Sequence, residues 1–258
     1  MLFRAKRLTK FGVLTEDGDL GTVRDLYMDR RQWAVRYLLL DTKPLLPSKK
    51  SLISTISVKG VDVEEGIVRL NISEEQVENA PSIEDVEPVT RPYERELLQH
   101  YGYGYYWNAT NIWGAFPYPN QLAASPYADE SMVTEAEEKE EERKESSYLR
   151  SLKDLSGDWS GYTVQASGEK VGHIDDFIIE SKDWQIRYLT LDTTRFAPSK
   201  SVLVSVDWIT DINDRDLTVE INVLPERIEN APAYEEGQPL TTTYERKLYS
   251  HFEKPYDE

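Results

Sequence analysis

Residues 33–42 read Trp33-Ala34-Val35-Arg36-Tyr37-Leu38-Leu39-Leu40-Asp41-Thr42, and residues 184–193 read Trp184-Gln185-Ile186-Arg187-Tyr188-Leu189-Thr190-Leu191-Asp192-Thr193. Both stretches are rich in aromatic and branched residues and short enough for a single strand, so each predicts a β-strand. The offset between them, 151 positions, holds without a gap from residue 20 to residue 101. Over those 82 positions 29 residues are identical, which chance does not produce in a gapless window. Pro47-Ser48-Lys49 falls on Pro198-Ser199-Lys200, Glu78-Asn79-Ala80-Pro81 on Glu229-Asn230-Ala231-Pro232, and Tyr93-Glu94-Arg95 on Tyr244-Glu245-Arg246. The chain therefore encodes one folding unit twice.

Outward from the tryptophan stretches the pattern stays β. Val68-Arg69-Leu70-Asn71-Ile72 alternates apolar and polar, and Val219-Glu220-Ile221-Asn222-Val223 keeps the same phase, which predicts a half-buried strand with one wet face. Leu20, Val23, Leu26 and Met28, matched by Val171, Ile174, Phe177 and Ile179, begin at a spacing of three and end at two. A bulge near Gly21 and Gly172 reconciles that spacing with a strand. Turns are expected at Asp17-Gly18, Pro47-Ser48, Glu64-Glu65-Gly66 and Asn213-Asp214. Upstream of residue 20 the register loosens, because Gly18 and Gly168 differ by 150, and a one-residue change in a hairpin loop is expected there.

After the last strand of each copy a short helix is expected. Ser73-Glu74-Glu75-Gln76 has the form of a capping box, and Pro225 stands where a first helical residue belongs. Asn-Ala-Pro then ends the helix in both copies. A second helix is expected at Pro92–Tyr101 and at Tyr244–Phe252, packed over an open end or edge of the strands. The resulting organisation is a first repeat with its tail helix over 1–101, a linker over 102–147 and a second repeat with its tail helix over 148–258. Residues 101–118 of the connector hold Tyr101, Tyr103, Tyr105, Tyr106, Trp107, Trp113, Phe116 and Tyr118, interleaved with glycine. Residues 129–145 carry nine acidic and three basic side chains and read as a solvated linker or exposed helix. The aromatic part has two readings. It packs across both repeats, or Tyr105, Tyr106, Trp107 and Trp113 form an exposed docking surface, since tyrosine and tryptophan dominate interface hot spots.

Composition narrows function. Asp and Glu outnumber Lys and Arg 47 to 30, for a net charge of -17 over 258 residues, which argues against nucleic acid and anionic membrane surfaces as partners. No apolar run approaches the roughly 20 residues of a membrane span, and Met1-Leu2-Phe3-Arg4-Ala5-Lys6-Arg7 lacks the apolar core of a signal peptide. With no cysteine, disulfide and thiolate chemistry are excluded, and a cytoplasmic protein is expected.

Candidate chemistry is thin. Three histidines exist: His100 and His251 are repeat counterparts on the expected tail helices, and His173 stands opposite Thr22. None sits in a metal-ligand spacing, so no metal is expected and a structural or interface role is. Asp211, Asn213, Asp214 and Asp216 suggest a calcium loop, but Asp216 and Asn222 occupy the places of its glycine and bidentate glutamate, so a polar hairpin turn is expected. Arg36 and Arg187, with Asp25, Asp176, Asp41 and Asp192, recur in both copies. Acid–base work by these carboxylates is one reading, and a structural ion pair between strands is the other, because buried charges are paired. Phosphate-binding loops, dinucleotide fingerprints and nucleophile elbows are not found. No catalytic residue and no cofactor are expected, and Trp33, Arg36, Asp41, Trp184, Arg187 and Asp192 are expected to serve structure.

The tandem motif Trp-x-(Val/Ile)-Arg-Tyr-Leu-x-Leu-Asp-Thr, with Gly21-x-Val23-x-Asp25 or Gly172-x-Ile174-x-Asp176 upstream, resembles the PRC-barrel family. Leu52-Ile53-Ser54, Leu203-Val204-Ser205 and the Asn-Ala-Pro element fit the same family. It includes the cytoplasmic domain of the photosynthetic reaction-centre H subunit and the C-terminal domain of a ribosome-maturation factor. The resemblance implies a mainly β chain of two tandem small PRC-type β-barrels, each with a short helical C-terminal tail. It also implies a barrel used for protein contacts, with no family-wide catalytic residue. A non-enzymatic adaptor or scaffold with a protein partner, able to form a homo-oligomer, is the expected function, reaction-centre-like by family resemblance. A small-molecule or ion-binding sensor with a site between the repeats is the alternative, and an enzyme the third.

Overall fold

The computed structural model describes residues 1–42, 51–82, 89–107, 109–124, 149–156, 161–193, 200–235, 237 and 239–256. The acidic stretch at 129–145 and the expected turn at Pro47-Ser48 lie outside these residues. The chain forms two compact units: Met1, Phe3–Leu152 and Glu180–Gln185 make the first, and Leu2, Lys153–Ile179 and Ile186–Glu258 the second. The described part of the aromatic connector belongs to the first unit.

A short strand β1 (Leu2–Arg4) and a helical turn (Ala5–Leu8) lead into β2 (Gly12–Leu14), β3 (Asp19–Asp29), β4 (Ala34–Thr42), β5 (Ser51–Ser54), β6 (Val58–Asp62) and β7 (Ile67–Leu70). These last six follow the order β5-β4-β3-β2-β7-β6, antiparallel except for the parallel pair β2–β7. β8 (Leu149–Ser151) adds antiparallel to β3. The second unit holds β9 (Thr163–Ala166), β10 (Glu169–Glu180), β11 (Ile186–Asp192), β12 (Ser201–Ser205), β13 (Ile209–Asn213) and β14 (Thr218–Ile221). Their order, β12-β11-β10-β9-β14-β13 with β14–β9 parallel, repeats the first. The chain is thus mainly β, built on two mixed sheets with few helices.

The tryptophan stretches are strands, as their composition predicts. Arg36, Leu38 and Leu40 on one face of β4 and Val35, Tyr37 and Leu39 on the other are all buried, so both faces of the strand are covered. Trp33 and Trp184 sit at the turn before each strand with φ of 50° and 60°, a backbone that bulky residues rarely adopt. β7 and β14 keep the expected wet face: Val68, Leu70, Val219 and Ile221 are buried while Arg69 is exposed.

The expected bulges are present. β10 shifts register between Lys170 and Gly172 against β9, and β2 shifts opposite Gly21. At Gly172 a Cβ would lie 2.6 Å from the Asp192 carbonyl oxygen, so only glycine allows that approach of β10 to β11. A second bulge falls between Val23 and Asp25 and between Ile174 and Asp176. There the buried carboxylates of Asp25 and Asp176 accept from the next N–H, of Leu26 at 2.7 Å and of Phe177 at 2.8 Å. These recurring aspartates satisfy backbone that the bulge takes off the ladder.

The expected one-residue change in the first hairpin is corrected. Gly12 pairs with Thr22 and Thr163 with His173, so the 151 offset survives on both sides of the loop. What differs is the turn. Ser167 and Gly168 have φ of 53° and 77°, a two-residue turn with both centres left-handed, whereas the first copy closes with the Thr15 N–H donating to the Gly18 carbonyl. Gly18 and Gly168 serve different turns and are not counterparts.

Each unit ends in the two expected helices. Glu74–Glu78 carries the full Ser73/Gln76 capping box, and Pro225–Glu229 starts on its proline. The tail helices run Arg91–Tyr101 and Thr242–His251, capped by Thr90 and Thr241. The same three bonds hold each tail. Tyr37 Oη donates to Glu94 and Tyr188 Oη to Glu245; Tyr93 Oη donates to the Pro81 carbonyl and Tyr244 Oη to that of Pro232; His100 Nε2 donates to the Gln76 carbonyl and His251 Nε2 to that of Arg227. The two histidines therefore fasten tail helix to short helix.

Candidate functional site

The densest polar chemistry of the first unit lies under its tail helix. Arg36 is 1% exposed, and in a low-dielectric interior its charge requires partners. Its Nη2 pairs with Asp29 Oδ2 at 3.0 Å, its Nη1 donates to the Ile112 carbonyl at 2.6 Å, and its guanidinium lies 3.9 Å from the Tyr106 ring centroid and 4.5 Å from that of Trp113. Beside it Arg91 pairs with Glu94 Oε2 at 3.1 Å and stacks 3.9 Å from the Trp107 centroid. Glu94 also accepts from Tyr37 at 2.7 Å and from Tyr106 at 2.5 Å. Burial raises the Glu94 carboxyl above its ordinary value, a shift that Arg91 and the two phenols oppose. Burial likewise holds the Tyr37 and Tyr106 phenols well above theirs, with the Glu94 charge adding to the effect. Both tyrosines therefore stay protonated and act as donors.

The second unit keeps only the core of this arrangement. Tyr188 donates to Glu245 at 2.6 Å, and Tyr256 adds a weaker bond at 3.3 Å. Thr242 stands where Arg91 stands in the first copy. Glu180, the counterpart of Asp29, is allotted to the first unit and is engaged there by the Met1 amino group.

A wider concavity lies elsewhere in the first unit. A groove of about 690 Å³ runs along β6 and is lined by Val58, Lys59, Gly60 and Val61, by Tyr118, Pro119, Asn120 and Ala123 at the helix Pro119–Ala123, and by Ser181, Lys182 and Trp184. Its volume falls within the range of ligand-binding clefts, roughly 300–1,000 Å³. β6 is the end strand of its sheet, paired only with β7 among the described residues, and four of its five residues line the groove. Among the described residues Lys59 and Lys182 line the groove and no carboxylate does, in a chain of net charge -17.

The model for the PRC-barrel domain matches residues 1–77 and 156–228. The chain belongs to the PRC-barrel domain family. No match to it was found among curated proteins. The two matched stretches of this PRC-barrel protein contain every strand of the two six-strand paths and stop before the tail helices and the aromatic connector. Arg91, Glu94, Tyr106, Trp107 and Trp113 therefore lie outside the family match.

Of the residues singled out in the sequence, Tyr105, Tyr106 and Trp113 are buried in the first PRC-barrel unit and Trp107 is half-buried. Trp113 Nε1 donates to the Asp183 carbonyl at 2.7 Å, and Tyr105 accepts from Gln99 at 2.8 Å. Trp184 is buried edge-on to Phe3, with ring centroids 6.0 Å apart. Asp41 forms an exposed pair with Arg24, so the carboxylate facing Arg36 is Asp29 rather than Asp25 or Asp41. Arg187 is half-buried, and Asp192 pairs backbone to backbone with His173. Among the described residues no group of three acidic or histidine side chains is placed to hold a metal, and no helix is long and apolar enough to cross a membrane. Asp29, Arg91 and the Glu94–Tyr37 pair were not read as a cluster from the sequence. Glu94/Glu245 and Tyr37/Tyr188, identical in both copies, carried a usable signal for part of it.

Proposed function

We propose that this PRC-barrel protein is a non-enzymatic adaptor that takes an extended, acidic segment of a protein partner along the free edge of β6. A strand added to an open edge gains main-chain hydrogen bonds, while flanking side chains select its sequence. The observation that carries the reading is the coincidence of that end strand with a groove lined, among the described residues, by Lys59 and Lys182 and by no carboxylate. Charge complementarity of this kind sets partner choice and encounter rate more than affinity. In the same reading each six-strand path curls into a small, partly open barrel: the Thr55–Ser57 turn connects β5 and β6, the two ends of the first path, without pairing them among the described residues, which leaves the β6 edge free.

The test is titration of the full chain with a synthetic six-residue peptide alternating glutamate and valine, beside a lysine–valine control. Saturable binding of the acidic peptide alone is expected, falling with salt. The double variant Lys59→Glu/Lys182→Glu should weaken it by about tenfold, the sum of two modest surface ion pairs turned to repulsion. Equal binding of the two peptides, or self-association of the chain through this edge, would refute the proposal.

A further inference from the structure

A second, smaller cavity of about 130 Å³ opens beside the buried charge cluster of the first unit, away from the β6 residues. Among the described residues Arg31, Arg36 and Arg91 line it together with Gln32, Trp107 and a single carboxylate, Asp29. Its volume is that of roughly four water molecules, far below the roughly 300 Å³ at which organic ligands of drug size begin to fit. A compact polyatomic ion fits it.

The charge of the lining sets the sign of that ion. Asp29 is already engaged on both oxygens, by Arg36 Nη2 at 3.0 Å and by the Arg31 backbone N–H at 2.9 Å. Glu94 pairs with Arg91 but does not itself line the cavity. Three guanidiniums thus meet one lining carboxylate, in a chain whose overall charge is strongly negative. Arg91 begins the Arg91–Tyr101 helix, so the positive end of that helix adds to the field. Trp107 stacks on Arg91 and holds its donor plane in place, as oxyanion recognition by arginine requires.

We infer that this cavity binds a free small oxyanion, with inorganic phosphate as its representative. Neither the volume nor the charge depends on the peptide groove, so this site stands or falls separately from the adaptor reading.

The experiment is calorimetric titration of the full chain with inorganic phosphate, against acetate and against chloride at matched ionic strength, with melting temperature recorded in parallel. Saturable one-site phosphate binding that raises the melting temperature is expected, with chloride inert. Arg31→Gln, read against its own phosphate-free melting temperature, should weaken phosphate roughly tenfold, the loss of one charge-assisted contact. Arg91→Lys, which keeps the charge and loses the planar fork, should weaken it as well while leaving peptide binding at β6 intact. A response that chloride reproduces, or phosphate binding unchanged in both variants, would overturn the inference.

Discussion

Replacing Tyr37 by phenylalanine removes one oxygen from a site where Glu94 has no water to replace it. Tyr37 is fully buried, Glu94 is 2% exposed, and the bond between them is 2.7 Å. A hydrogen bond to a buried charge contributes about 1.5–3 kcal/mol, so Tyr37→Phe should cost about 2 kcal/mol. The second unit supplies an internal control. Tyr188 makes the equivalent bond at 2.6 Å, but Glu245 is only half-buried and solvent can take the vacated position, so Tyr188→Phe should cost about 1 kcal/mol or less. Hydrogen exchange followed by mass spectrometry reads the two units independently through peptides covering β4 and β11. Exchange in β4 should accelerate about thirtyfold in the first variant, and exchange in β11 about fivefold or less in the second. The difference should depend on pH. Glu94 titrates above its unfolded value of about 4.3 because it is buried, so the stability it contributes is fully present below that value and is lost as pH rises through its folded value. Loss of the Tyr37 donor raises the folded value further, so the Tyr37→Phe penalty should shrink toward pH 4 and grow toward neutrality. Equal penalties at the two positions, or a penalty at Tyr37 that ignores pH, would refute the view that Glu94 is a desolvated carboxylate held by phenols.

Two further outcomes follow from the same geometry. Asp29→Ala strands the buried guanidinium of Arg36 and should cost about 3–5 kcal/mol in chemical denaturation, whereas Asp41→Ala removes an exposed pair with Arg24 and should cost about 0.5 kcal/mol or less. Similar losses at both would mean that Arg36 does not depend on Asp29. Leu217 has φ of 50° and is exposed, while Gly66 holds the equivalent turn at 69°, so Leu217→Gly should raise the stability of the second unit by about 0.5 kcal/mol, with strain relief outweighing the greater freedom of glycine in the unfolded chain. A lower melting temperature would contradict this.

The strands, both pairs of helices and the two bulges were legible because each rests on local chemistry written twice: the Trp33 and Trp184 stretches, the Ser73/Gln76 capping box, the glycines at 21 and 172. Repetition also misled. Gly18 and Gly168 look displaced only if both are assigned to one turn type, and the backbone dihedrals assign them to two. The buried cluster was half legible. Glu94 and Tyr37 recur as Glu245 and Tyr188, but Asp29 becomes Glu180 and Arg91 becomes Thr242, so identity between the copies could not draw all four together. The β6 groove was not legible at all, because Lys59, Tyr118 and Lys182 are brought together by the path of the chain and by no periodicity within it.

The allotment of residues 102–124, β8 and the 180–185 turn to the first unit bears on how the gene can be cut. A fragment ending at residue 101 would retain Arg36, Asp29 and Glu94 but discard Tyr106, Trp113 and the Ile112 carbonyl, baring a charged interior to solvent. A fragment running through residue 152 would still lack the backbone of the 183–185 stretch, which accepts from Trp113 and Val35. Although the coding sequence arose as a doublet, its first half is no longer a self-sufficient cassette, and swapping the halves would not regenerate the protein.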